Sequence, residues 1–307
     1  MTYTRRRFLQ TMAGTGAALL LNGHGFAKTS SLHTRVIPKT GAVIPAIGMG
    51  SWLTFAVGSD PVEIATRVKV LQTFFDRGGG LIDSSPMYGT SEQVIGECLG
   101  KINNTDKLFS ATKVWTRGWQ QGIRQMERSK DLWGIKAFDL MQIHNLLDWQ
   151  THLETLKAWK KEGRIRYIGV TTSHGRRHEE LIHIMKTIDD LDFVQFTYNI
   201  EDREAEQYLL PLAAERRLGV IINRPFQRAG LFANIKGKPL PAWAKTIDCE
   251  NWAQFFLKFI ISHPAVTCAI PATSRVDHMK ENMGALSGPL PDARMRKEMV
   301  AYYESVA

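Results

Sequence analysis

Gly48-Met49-Gly50-Ser51-Trp52-Leu53 (GMGSWL) is the turn whose reading decides the fold. It closes the first apolar run of a chain in which short apolar stretches alternate with segments of helical period. An open, doubly wound nucleotide-binding sheet requires Gly-x-Gly-x-x-Gly at this place. The first glycine makes the tight turn, the second admits a pyrophosphate, and the third lets the helix pack on the strand. Here the third position is Leu53. The turn therefore argues for the other way of using repeated strand-helix units, a closed barrel.

Counting outward from that turn supports closure. After AIGMGSW comes DPVEIATRVKVLQTFFDRG, a helix opened by Asp60-Pro61 and stopped by glycine. GLIDSS precedes SEQVIGECLGK, for which Ser91 is the expected N-cap. LFSATKV, FDLMQIHN, IRYIGVTTS, FVQFTYN, GVIINRPF and VTCAIPAT follow, each with its own helical segment. The strands are apolar enough to be covered on both faces. Eight such units in about 260 residues predict an α/β protein of the (β/α)8 (TIM) barrel class. Residues 34–307 are read as that single domain, beginning with a small N-terminal hairpin in TRVIPKTGAVIPAIG that covers the barrel floor. The stretch 230–248, rich in Gly, Pro and Lys, is expected to be the one long loop, at the mouth.

The first residues differ from the rest. TRRRFLQ, then TMAGTGAALLL, then NGHGFA give a charged region, a short apolar region and a small-residue end, the order of an export signal. Arg5-Arg6 resembles the twin-arginine type, with cleavage expected after Ala27. Residues 1–27 are thus read as a signal peptide, the export machinery as a partner and the location as periplasmic or otherwise exported. The apolar run falls well short of the ~20 residues of a stable membrane span.

Charge and cysteine content remove other classes. The chain of 307 residues carries 39 basic and 30 acidic side chains, a net +9; the leader holds three of the arginines and no acid, leaving 36 − 30 = +6. There is no dense basic run after the leader, so no nucleic-acid partner is expected, and anionic small ligands suit the excess better. Cys98, Cys249 and Cys268 have no metal or redox spacing, and His174, His178 and His183 do not form a ligand triad. No metal is expected.

In a barrel, chemistry collects at the carboxyl ends of the strands. Reading those ends gives Asp83, then Tyr88 in the following loop, Lys113 and His144. A phenol titrates near 10, too high for ready proton exchange. A neighbouring ammonium lowers that value, and an aspartate keeps the ammonium charged and aimed. Tyr88 then serves as proton donor to a developing alkoxide, or as base in reverse, with His144 donating to the same oxygen. Trp52 and Trp115, just past two strand ends, are candidate walls of the substrate pocket.

The segment Asp83-Ser84-Ser85-Pro86-Met87-Tyr88-Gly89 and the motifs SATKV, QIHN, GRIRYIGVTT, VQFTYN and IPATSRVDHMKEN, in order from about Thr34 to Leu286, resemble the aldo/keto reductase family. The resemblance places the family's catalytic tetrad on Asp83, Tyr88, Lys113 and His144. It implies a barrel that binds NADPH, with NADH as the alternative, and reduces an aldehyde or ketone while the tyrosine supplies the proton. The nicotinamide carboxamide would be held by Gln195 and by Thr171-Thr172, where the family has Ser-Asn. Asn223 or Arg224 stands where an aromatic often stacks on the nicotinamide. Thr273, Ser274 and Arg275 would hold a 2′-phosphate, and Glu281 with Asn282 the adenine. The second reading is an exported nucleotide-holding barrel that senses or binds with little turnover.

Overall fold

An antiparallel hairpin of β1 (Thr34–Val36) and β2 (Val43–Pro45) opens the described residues, 32–307, of this computed structural model. The leader expected over 1–27 lies outside them. Then follow β3 (Met49–Gly50), α1 (Pro61–Asp76), β4 (Leu81–Asp83), α2 (Ser91–Leu99), β5 (Phe109–Val114) and α3 (Trp119–Trp133). Next are β6 (Phe138–Ile143), α4 (Trp149–Lys161), β7 (Ile165–Thr171), α5 (His178–Thr187), β8 (Phe193–Thr197) and α6 (Leu209–Glu215). The chain ends with β9 (Gly219–Asn223), α7 (Gly230–Asn234), α8 (Trp252–Ile261), β10 (Cys268–Ala269), α9 (Val276–Gly284) and α10 (Ala293–Val306).

Strands β3 to β10 pair in parallel, each with its successor. Bridges Ile47–Ala269 and Gly50–Ala272 join the two edges, and Gly48 N–H donates to Ala269 O at 2.8 Å. The result is a (β/α)8 barrel. The two glycines of GMGSWL serve that closure. A Cβ on Gly48 would stand 2.8 Å from Leu81 O of β4 and 3.0 Å from Cys268 Sγ of β10, and one on Gly50 2.9 Å from Ile270 O. The seam between first and last strand has no room for side chains there.

Alternation along the strands sorts the core into two shells. Leu81, Phe109, Leu140, Tyr167, Phe193 and Ile221 fill the barrel together with Ile37 and Ile44 of the hairpin. Tyr167 Oη meets Thr40 Oγ1 at 3.1 Å, so the hairpin does cover the floor. The opposite set, including Ile82, Met141, Ile168, Val194 and Val220, packs under the helices. Cys98, Cys249 and Cys268 are free and buried.

Three local expectations are revised. Asp60 caps α1 as expected, accepting from Val62 N–H at 2.9 Å. Ser91 does not cap α2: the cap position is Thr90, whose Oγ1 instead accepts from Gly58 N–H at 2.9 Å. The segment 230–248 is not a structureless loop, since it holds α7 and a 3-10 turn over Ala242–Ile247. Helix α10, which the strand-helix count did not include, is capped by Asp292 and tied to the barrel by Arg296, which forks onto Tyr198 and Glu206. Among the described residues no helix is long and apolar enough to cross a membrane.

The α2–α3 contact yields a test in which propensity and packing predict opposite signs. Alanine in a helix interior is favoured over glycine by up to ~1 kcal/mol. At Gly96 the added Cβ would fall 1.9 Å from the backbone oxygen of Leu132, which cannot give way without moving α3. Gly96→Ala should therefore lower stability by about 1–3 kcal/mol in chemical denaturation, the range for overpacking; an increase would show that the helices are free to separate.

Candidate active site

Strand β4 ends on Asp83, and the chain turns at once through Ser84-Ser85-Pro86, with Tyr88 N–H closing the turn on Ser85 O at 2.9 Å. That turn sets Tyr88 over the mouth. On the next strand Ala111 is level with Asp83, so Lys113 lies further toward the same end, level with Gln142 of β6. Lys113 Nζ donates to Asp83 Oδ1, and to Ser84 O at 2.7 Å. The other oxygen of Asp83 accepts from Gln142 at 2.8 Å and Gln195 at 3.0 Å. The carboxylate is 2% exposed and the lysine fully buried.

Electrostatics follow from that burial. Desolvation pulls the Lys113 pKa down, but the charges and hydrogen bonds of Asp83 and Tyr88 outweigh it, and the ammonium titrates above its ordinary value. The ammonium stands 5.2 Å from the Tyr88 ring centroid, and its charge works to lower the phenol pKa. Burial is still the larger effect on Tyr88, and its pKa is raised. The sequence reading expected lysine to bring it down. Lys113 only limits the rise, so Tyr88 holds its proton. His144 opens the turn after β6, its ring edge-on to Tyr88 at 5.7 Å, with burial first and Lys113 second driving its pKa down to about 2. The imidazole is neutral. Its Nδ1 meets Ser85 Oγ at 2.8 Å.

Asp83, Tyr88 and His144 face a cavity of about 760 Å³ that runs from Trp52 to Glu281 and Asn282 on α9. Lys113 is behind the wall, not on it. Thr171, Thr172, Gln195, Asn223, Arg224 and Thr273 all line the space. The Thr171 hydroxyl accepts from Asn145 N–H at 3.0 Å, whereas Thr172 Oγ1 is buried without a partner among the described residues. Asn223 is held in the wall, donating to Thr172 O at 2.9 Å and accepting from Thr197 at 2.8 Å. Arg224 crosses to His174 Nε2 at 2.7 Å.

Besides Lys113, three expected residues lie off the cavity. Ser274 and Arg275 are not on its wall, and Arg275 forks onto Asp277, Nε to Oδ1 at 3.0 Å. Trp115 is 41% exposed at the rim, 6.5 Å from the His144 ring, while Trp52 lines the space beneath the guanidinium of Arg228 at 4.0 Å. Segment 230–248 contributes Phe232 to the wall, and α10 contributes nothing. The site also draws on Ser85, Gln142, Arg228 and His278, which pattern reading did not select. Ser85 had one signal, its place two residues after Asp83; the others meet the site only through folding.

The chain is similar to methylglyoxal reductase YeaE of Escherichia coli (strain K12), 29% identical over 271 residues, 84% of this chain and 91% of the relative. An aldo/keto reductase from Klebsiella pneumoniae, solved in complex with NADP and acetate, has the same fold, with a TM-score of 0.73 at 24% identity over 87% of this chain and 94% of that one. A thermostable aldo-keto reductase solved with the inhibitor epalrestat gives a TM-score of 0.69 at 26% identity, covering 90% and 100%. The profile of the aldo/keto reductase family matches residues 46–299, and the chain belongs to that family.

Proposed function

We propose that this protein is an exported reductase that uses NADPH to convert an aldehyde or ketone to an alcohol, and the reverse. The convergence of Asp83, Lys113, Tyr88 and His144 on one end of the cavity carries this reading. Similarity to a methylglyoxal reductase supports a carbonyl substrate, and the NADP-bound structures of the same fold support the cofactor.

The residues present fit that cofactor. Thr172 offers an unused buried hydroxyl beside Gln195 and Asn223, suited to a carboxamide. Thr273, Glu281 and Asn282 wall the far end, for the adenosine portion. When bound, NADPH supplies the hydride that goes to the carbonyl carbon. Tyr88 donates its proton to the carbonyl oxygen, and Lys113 stabilises the phenolate left behind. Asp83 keeps Lys113 charged and in place, and the neutral His144 ring donates a hydrogen bond to the same oxygen.

Tyr88→Phe removes the proton source and little else. It should lower kcat for a panel of aldehydes and ketones by about 10²–10⁴-fold, the range for a positioned general acid. The dissociation constant for NADPH, read by fluorescence titration, should stay within about twofold of wild type. Full activity in the variant would remove the phenol from the mechanism.

The 2′-phosphate of NADPH would have to draw Arg275 off Asp277, whose carboxyl is held below its usual range chiefly by that guanidinium. Asp277→Asn should therefore tighten NADPH a few-fold and leave NADH unchanged. Equal changes for both nucleotides would place Arg275 elsewhere.

The order of residues 1–27 supports export by the twin-arginine machinery, which carries folded proteins. Arg5→Lys with Arg6→Lys should retain the protein in the cytoplasm on cell fractionation; unchanged export would refute that route.

A further inference from the structure

We propose that Ser85 sets the tautomer of His144, and through it the hydrogen bond offered to the carbonyl oxygen; this positioning role rests on the reductase reading above. Ser85 is fully buried in the turn after β4, its Oγ 2.8 Å from His144 Nδ1. The same oxygen accepts Met87 N–H at 3.2 Å. A hydroxyl has one proton and two lone pairs. Met87 takes one lone pair, and among the described residues the buried hydroxyl proton has no acceptor other than Nδ1, so that proton is satisfied only when Nδ1 is the bare nitrogen of the ring. A neutral imidazole carries one N–H, so it resides on Nε2.

The surroundings leave the ring little alternative. His144 is 5% exposed, flanked by the rings of Tyr88 at 5.7 Å and Trp115 at 6.5 Å. Its backbone is pinned from the next residue, where Asn145 N–H donates to Thr171 Oγ1 at 3.0 Å, and by Leu147 N–H donating to His144 O at 3.1 Å. Ser85 Oγ is the one side-chain partner of the ring among the described residues. In the opposite tautomer Nδ1–H would donate to Ser85 and Nε2 would turn a lone pair toward an incoming carbonyl oxygen. That arrangement repels where the reaction needs a donor. Burial, which keeps the ring neutral, is what makes the choice of tautomer matter: a doubly protonated ring would donate from either nitrogen.

The test reads the ring directly. Two-bond proton–nitrogen spectra of the full protein labelled with ¹⁵N-histidine, with His144 assigned by its loss in His144→Gln, should show the Nε2–H pattern in wild type. Ser85→Ala should give a mixture or the Nδ1–H form. It should also lower kcat about tenfold, less than the 10²–10³ for outright loss of an oxyanion donor, with NADPH affinity and carbonyl KM within about twofold. Ser85→Thr, which keeps the hydroxyl, should restore both the spectrum and kcat. An Nδ1–H ring in wild type, or a Ser85→Ala protein with unchanged spectrum and kcat, overturns the proposal. If Ser85→Ala does not fold, the wild-type and Ser85→Thr spectra decide it. The spectrum needs neither nucleotide nor substrate, so an Nε2–H ring in a protein inert toward every carbonyl would sink the reductase reading while leaving the control of His144 by Ser85 in place.

Discussion

The contact between Lys113 and Asp83 is the constraint on which the site depends. Both groups are dry, and removing two charges from water costs several kcal/mol per ion before attraction returns any of it. The arrangement is sustained because both carboxylate oxygens are hydrogen-bonded. Asp83 takes the ammonium on one oxygen and the amides of Gln142 and Gln195 on the other, while Lys113 has Ser84 O as a second acceptor. Those partners come from β4, β6 and β8, so the pair depends on barrel closure and also records it. An ammonium left there without Asp83 would tend to lose its proton, and with it the positive charge beside Tyr88.

Burial favours the neutral form of Lys113, Tyr88 and His144 alike, and only Lys113, held by Asp83, stays charged against it. Lys113 is kept charged, Tyr88 kept protonated and His144 kept neutral. An ammonium, a protonated phenol and a neutral imidazole are thereby set side by side. The far wall of the cavity is built differently. Arg224, Gln227, Arg228 and Ala229 all take left-handed backbone, with φ of 51°, 48°, 56° and 70°. For non-glycine residues that conformation is costly and persists only where surrounding contacts hold it. Here those contacts are Arg224 on His174, Arg224 on Gln227 and Arg228 over Trp52. The loop after β9 thus spans from the β7 end to the β3 end across the cavity.

Much of the site could be read from residue order because a barrel turns strand ends into neighbours. Asp83, Lys113 and His144 needed only the recognition that three consecutive apolar runs end in a polar residue. The end of the cavity beside α9 was harder. Thr273, Glu281 and Asn282, singled out through the family resemblance, line the cavity, but Arg275 turns to Asp277, a local carboxylate pairing that residue order does not reveal. Ser91 was misjudged as a cap for a similar reason: Ser91 and Thr90 are equally plausible by type, and the β4–α2 turn alone places Thr90 at the cap position.

By itself, the sequence determined the class of fold, the order of its eight strand-helix units and the four side chains at their ends. Those features are local, since alternation, turn chemistry and the missing third glycine each act within a few residues. Tertiary structure decided which side chains support them. Gln195 reaches Asp83 across 112 positions and Ser85 reaches His144 across 59. It also decided the balance of charge, because how far burial moves a phenol or an imidazole depends on how much water the closed barrel excludes.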